Sequence, residues 1–380
     1  MEALFQPLTI RGTRLANRVV MAPMSRYQCP GGVPSAEVAA YYRRRAAAGV
    51  GLIITEGVGI DHPQAVDHPG VPRLHGEAAL AGWRIVVDGV HAAGGAIWAQ
   101  LWHQGPMWNV EYAGDTSGTH RLALRPSGIW GPADGIISIP HEARSRAATP
   151  TRPMTDGEIQ DVIDAYARSA LQARELGFDG IAVHGAHGYL IDSFLWRYTN
   201  RRLDRWGGDA GRRAAFGAAV IRAIRAAVGT EVPIALRLSQ FKMQDYTARI
   251  ADTPDELAAL LAPLAEAGVD VFDGSQRFFD SPLFAGSILN LAGWCRTLTG
   301  RLAMTVGGVG FGKGRGLAKH IDDSQAVDDN LPLVIERFGR GEFDLVGVGR
   351  ALLNDPEWLL KARAGQPFKP FDPENLKRLT

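Results

Sequence analysis

Phe178 to Gly208 reads FDGIAVHGAHGYLIDSFLWRYTNRRLDRWGG. Its apolar run, Ile181 to Val183, is short and bounded by glycine, as in a buried strand. The run then breaks into His184, His187 and Tyr189, three proton-handling side chains at one strand end. Comparable runs occur at Val19–Ala22, Gly51–Ile54, Ala96–Leu101, Gly180–Val183, Pro233–Leu238, Val269–Phe272, Leu302–Val306 and Leu345–Val348. They are often β-branched and mostly do not alternate, the pattern of strands covered on both faces of a parallel sheet.

Amphipathic segments with helix punctuation lie between them. Thr155 with Glu158 and Thr253 with Glu256 have capping-box spacing, and Pro254 stands at a first helical position. Gly177, Gly229 and Gly268 sit where helices would stop. Eight strands interleaved with helices predict an α/β fold, a closed (β/α)₈ TIM barrel, in a single domain over residues 1–380. Trp102 to Pro153, rich in Gly, Pro, Trp and Ser, predicts a lid-like capping insertion after the third strand. A second long loop, Gly310 to Asp329, follows the seventh.

The composition narrows the function classes. Hydrophobic residues make up 46% and charged residues 21%, with a formal charge of +1 and no long like-charge run. Nothing there favours nucleic acid or a membrane surface as partner. Arg43 to Arg45 read as the solvated face of a helix. The start, MEALFQPLTI, lacks the basic and apolar regions of a signal peptide, so a cytoplasmic setting is the default. Two cysteines, Cys29 and Cys295, make neither a disulfide framework nor a four-cysteine cluster.

Barrel chemistry belongs at the C-terminal strand ends. Those ends read Pro23-Met24-Ser25-Arg26-Tyr27, Thr55-Glu56-Gly57, Gln100-Leu101-Trp102-His103, His184 to Tyr189, Arg237-Leu238-Ser239-Gln240, Asp273-Gly274-Ser275, Val306-Gly307-Gly308 and Gly347-Val348-Gly349-Arg350. Polar groups and glycines gather there, after apolar strands. The glycines of the last two ends let backbone N–H groups approach phosphate, and Arg350 can add a charge-assisted contact. A turn-making role competes for each pair alone. Together they point to a phosphate-bearing ligand.

The ordered set resembles the old yellow enzyme family, FMN-dependent NAD(P)H:flavin oxidoreductases and ene-reductases. The resemblance runs from Phe5-Gln6-Pro7-Leu8 to the segment Gly349 to Glu357 and rests most on H-G-A-H-G-Y and N-R-R-x-D-R-W-G-G. It implies FMN at the C-terminal mouth. Pro23 and Met24 would line the flavin, Ser25 would approach a ring carbonyl, Gly57 would let its edge pass and Gln100 would bond its pyrimidine side. Arg237 would face the opposite carbonyl, where negative charge develops on reduction. Gly307, Gly308, Gly349 and Arg350 would hold the phosphate. An arginine inside an apolar strand needs a partner, and a reduced flavin would be one.

The resemblance also implies a reaction. NADH or NADPH reduces FMN, which passes hydride to the β-carbon of an activated alkene. His184 and His187 would anchor the substrate carbonyl, and Tyr189 would protonate the α-carbon. Tyr27 and Trp102 would line the substrate pocket, with ordinary aromatic packing as the competing reading. Trp108, Tyr112 and Trp130 could close over the site. Phe241 to Tyr246 departs from the best-known relatives, and Cys29 is given no redox role.

A metal site at His184, His187 and Asp192 competes weakly, for want of further ligands; no metal is expected. A flavin C–N dehydrogenase or demethylase, or a dienoyl reductase, is the alternative within redox chemistry. A phosphate-binding lyase or isomerase would favour a Schiff-base lysine at a strand end, and none is evident. A non-catalytic flavin-binding protein is the third alternative. A homo-oligomer is compatible with the sequence, since such barrels often pair through outer helices.

Overall fold

The computed structural model describes residues 2–109, 122–135, 149–311 and 330–380. A short antiparallel hairpin comes first, β1 (Leu8–Ile10) and β2 (Thr13–Leu15). The barrel strands follow: β3 (Val19–Met21), β4 (Leu52–Gly59), β5 (Ala96–Trp102), β6 (Gly180–His184), β7 (Ile234–Ser239), β8 (Val271–Ser275), β9 (Leu302–Val306) and β10 (Leu345–Val348). All eight are parallel, and β10 pairs with both β9 and β3, so the sheet closes as the sequence predicts.

Alternation of side chains across each strand divides the apolar residues into two cores. Ile181, Val183, Leu236, Leu238, Phe272 and Val346 face outward to the surrounding helices. Val20, Ile54, Trp98, Ala182, Ala235, Val271 and Met304 fill the barrel interior. Trp98 fits there because Gly180 leaves it room: a Cβ at Gly180 would lie 2.5 Å from the indole. Ile10 and Leu15 of the hairpin join the interior cluster and plug its N-terminal end. Gly12 N–H to Glu231 O, and Thr13 Oγ1 to Asp179 O, tether the hairpin there. With the bottom sealed by packing, a ligand has to enter from the opposite mouth.

Helix punctuation acts largely as predicted. Thr155 and Glu158 form a reciprocal capping box ahead of Asp156–Leu176, which Gly177 ends at φ 90°. Thr253 Oγ1 accepts from Glu256 N–H, but the Glu256 carboxylate turns to Asp252 N–H and Arg213, so this second box is only half made. The expectation of a solvated arginine face fails at Arg45. That side chain is fully buried, donates to Leu352 O and Tyr41 O, and lies 3.9 Å over the Tyr41 ring. An apolar stem and a fork of five donors let a guanidinium join two helices, which composition alone cannot reveal.

Trp108 and Trp130 of the insertion are buried, and Gly131 and Gly135 pack against Gln244, beyond β7. Tyr112 lies outside the described residues, as does most of the Gly310–Asp329 loop. Replacing Thr155 by Ala should cost about 1 kcal/mol through the lost cap. A urea midpoint unchanged from the parent protein would contradict that role.

Candidate active site

The interior parity continues upward into chemistry. Ala182 is followed two residues later by His184, Ala235 by Arg237, Trp98 by Gln100 and then Trp102, and Val271 by Asp273 and Ser275. Each therefore points into the mouth of the barrel. On β4 the alternation would deliver Glu56, but the register shifts between Ile54 and Gly57. The bulge turns Glu56 aside to accept from Arg26 N–H and Tyr42 Oη, and presents Gly57 instead. Burial pushes the Glu56 carboxyl up to about 7, against the pull of those donors.

A cavity of about 130 Å³ results, lined by Pro23, Ser25, Gly57, Gln100, Trp102, His184, His187, Tyr189 and Arg237. Nine residues named from the sequence thus meet at one place. A Cβ at Gly57 would strike the Trp102 ring at 2.7 Å, so that glycine is what lets the indole lie in the wall. Trp102 stacks on His184, and Tyr189 stands edge-on to both rings. Gly307 and Gly308 line a second cavity of about 260 Å³, with Phe278, Phe279, Phe311 and Asn330. Gly307 has φ 147°, and a Cβ there would lie 2.4 Å from Gln276 O, so glycine is required. The Arg350 guanidinium sits 4.9 Å over Phe311. Met24, Tyr27, Gly349 and Arg350 line neither cavity. Met24 packs near Gly349, and Tyr27 is half exposed at φ 57°, edge-on to His68.

His184 Nδ1 accepts from Ala186 N–H, so in the neutral ring the proton is on Nε2. Burial, with the Arg237 charge second, pushes His184 down to about 3. His187 is held well below the usual histidine range by burial, then by His184, Arg237 and Lys242. Its Nε2 shares a 2.9 Å hydrogen bond with the Ser275 hydroxyl. The Tyr189 phenol donates to Met243 Sδ at 3.4 Å and is pushed up, chiefly by burial. At neutral pH the wall is therefore two neutral imidazoles and a neutral phenol, all able to donate.

Arg237 Nε pairs with Asp273 Oδ2 at 2.5 Å, both side chains buried. The carboxylate on the neighbouring strand is thus a protein partner for the arginine, where a reduced flavin was expected. It satisfies Arg237 only in part, because Arg237 Nη2, like Gln100 Nε2, is buried without an acceptor among the described residues. Asp273 and Ser275 received no role from the sequence, although strand parity marks both as inward-facing. A lysine does stand near a strand end, but not as a Schiff-base candidate. Lys242 lies three residues past β7, but its amine is bound to Asp192 and Ser239 O and does not line the cavity. That arrangement also commits Asp192, the third ligand a metal at the histidines would need.

A family model described as the NADH:flavin oxidoreductase / NADH oxidase family matches residues 3–278. The chain belongs to this family, the old yellow enzyme family. It is 37% identical over 237 residues to 12-oxophytodienoate reductase 7 of Oryza sativa subsp. japonica, covering 62% of this chain and 58% of that protein. It is 32% identical over 366 residues to an NADH oxidase of Thermoanaerobacter brockii, covering 96% of this chain and 51% of that one. The chain thus spans between half and three fifths of the length of these curated relatives. Morphinone reductase in complex with tetrahydroNAD matches the fold with a TM-score of 0.77 at 25% identity, over 98% of this chain and 94% of that one.

FMN is the cofactor of this old yellow enzyme barrel, and the residues present fit it. The unpartnered N–H groups of Gln100 and Arg237 are buried donors awaiting acceptors, as the carbonyl-rich pyrimidine edge of a flavin provides. The glycine-lined second cavity lies at the strand end where such barrels take phosphate.

The buried neutral histidine predicts a pH dependence. An unfolded histidine binds a proton near 6.5, whereas His184 in the fold resists protonation until about 3. Its contribution to stability is complete above pH 6.5 and is lost as the pH falls toward 3. In His184→Gln, the urea midpoint should fall less steeply between pH 6.5 and 4 than in the parent. Equal slopes would show that this ring carries no such linkage.

Proposed function

We propose that this chain is an FMN-dependent oxidoreductase in which NADH or NADPH supplies electrons and an activated alkene, such as an α,β-unsaturated ketone or aldehyde, receives them. The carrying observation is the meeting, in one cavity, of two unpartnered donors with two neutral imidazoles and a neutral phenol. A bound FMN would supply the two-electron hydride chemistry between the nicotinamide and the alkene β-carbon.

The protein's residues do the rest. Gln100 and Arg237 would hold the pyrimidine side, with Pro23, Met24, Ser25 and Gly57 around the ring. Gly307, Gly308, Gly349 and Arg350 would hold the phosphate. The His184 Nε2–H, with His187, donates to the substrate carbonyl oxygen, where negative charge grows as hydride arrives. Both rings are neutral, so they polarise the carbonyl without adding net charge to a site that already holds Arg237. The Tyr189 hydroxyl gives its proton to the α-carbon and is protonated across the working pH range. Trp102 would form one wall of the substrate space, with Tyr27 outside the cavity and nearer solvent.

Purified protein should be yellow and hold FMN; a colourless protein that does not take it up would end this reading. Tyr189→Phe should slow reoxidation by 2-cyclohexenone by about 10²-fold, the scale of a lost general acid, with smaller change in flavin reduction by NADPH or NADH. Stopped-flow bleaching and reoxidation separate the two, and equal effects on both would displace Tyr189 from the proton step. Asp273→Asn leaves the Arg237 charge less compensated, so the flavin potential should rise. A dye-equilibration titration showing an unchanged or lower potential would contradict the pairing's electronic role.

A further inference from the structure

Beside the cavity lies an ion pair that neither barrel packing nor cofactor binding requires. Lys242 Nζ stands 2.8 Å from Asp192 Oδ1, and both side chains are wholly removed from water. Such a pair is expensive to bury and seldom adds stability over well-packed apolar residues. Burial pushes the Lys242 amine down and the Asp192 carboxyl up, and each is opposed by its partner.

What the pair touches explains it. His187 and Gly188 are consecutive left-handed residues, φ 62° and 85°, and the first is not glycine. A conformation of that kind persists only where its surroundings over-determine it. Four hydrogen bonds do so. His187 N–H donates to Ser239 Oγ, and His187 O accepts from Met243 N–H. Gly188 N–H donates to Asp192 Oδ2 at 2.6 Å, and Gly188 O accepts from Gln244 Nε2. Lys242 joins two of these anchors, because its amine donates to Asp192 Oδ1 and to Ser239 O. One cation therefore ties the helix start beneath Tyr189 to the strand end that holds His187. The carboxylate also gives Gly188 N–H a charged acceptor, stronger than a neutral one.

We infer that the Lys242–Asp192 pair is a positioning device for the reaction. It fixes the His187-Gly188-Tyr189 turn so that the imidazole and the phenol address one substrate carbonyl and its α-carbon. This rests on the proposed alkene reduction. Neither residue of the pair lines the cavity.

The test compares the FMN-loaded parent with Lys242→Met and with Lys242→Met/Asp192→Asn. The double variant leaves no uncompensated buried charge, so it carries the test if the single one fails to fold. Two readouts are taken: the dissociation constant of p-cresol from its perturbation of the flavin absorption band, and kcat and KM for 2-cyclohexenone. Misplaced donors should weaken p-cresol about 10-fold or more and lower kcat by about 10²-fold, with FMN content equal to that of the parent. A pair that only stabilised the fold would lower the melting temperature and leave both readouts within twofold, which would overturn the inference. A parent that binds FMN and p-cresol but does not reduce the enone would instead refute the alkene reading. The p-cresol comparison would still report on the pair.

Discussion

The upper half of the barrel depends on one guanidinium kept almost out of water. Arg237 stands at an interior position two residues after Ala235, in a strand whose residues from Ile234 to Leu238 are otherwise apolar. A cation there is tolerable only if its donors are met. Asp273 on the neighbouring strand meets Nε and leaves Nη2 open. The open N–H makes the mouth a receptor for electron-rich oxygen. The same charge, secondary to burial, helps to hold His184 and His187 neutral. One residue thus leaves an open donor in the mouth and adds to the burial that keeps both imidazoles neutral.

Barrel geometry turns that local demand into a site. Side chains two apart on a strand share a face, so the packing that fills the interior also aims the strand-end residues. His184, Gln100, Arg237, Asp273 and Ser275 are inward because Ala182, Trp98, Ala235 and Val271 are. The exception on β4 is equally informative. Without the register shift, the carboxylate of Glu56 would enter the mouth, and a second anion would oppose a flavin that gains negative charge on reduction. The bulge instead places a glycine there, and Trp102 occupies the space a Cβ would need.

Much of this was legible in the sequence. The eight apolar runs lie on the eight strands to within a few residues, because a strand buried on both faces can carry little else. The histidine, tyrosine, glutamine and arginine positions followed from the strand ends and from the resemblance. The misses have one physical origin. Asp273 lies 36 residues from Arg237, Asp192 lies 50 from Lys242, and Arg45 reaches Leu352 307 positions away. Each buried charge was visible as a residue type, but its partner is set by register and loop path rather than by spacing. Arg45 read as part of a solvated face for that reason, and Lys242 received no role. Asp273 alone could have been found, since the parity that makes Arg237 inward makes it inward too.

The two buried ion pairs divide the work in a way their hydrogen bonds make plain. In Arg237–Asp273 the atoms Nη2 and Oδ1 have no partner among the described residues, so the pair is incomplete, and its arginine lines the cavity. In Lys242–Asp192 both carboxylate oxygens are engaged, one by the amine and one by Gly188 N–H, and the amine is also bound to Ser239 O. An unfinished pair offers open polar atoms to whatever enters, whereas a closed pair has spent its own on the backbone it grips. The first therefore belongs to recognition and electron demand. The second belongs to geometry, and the left-handed turn at His187 is the geometry it has to hold.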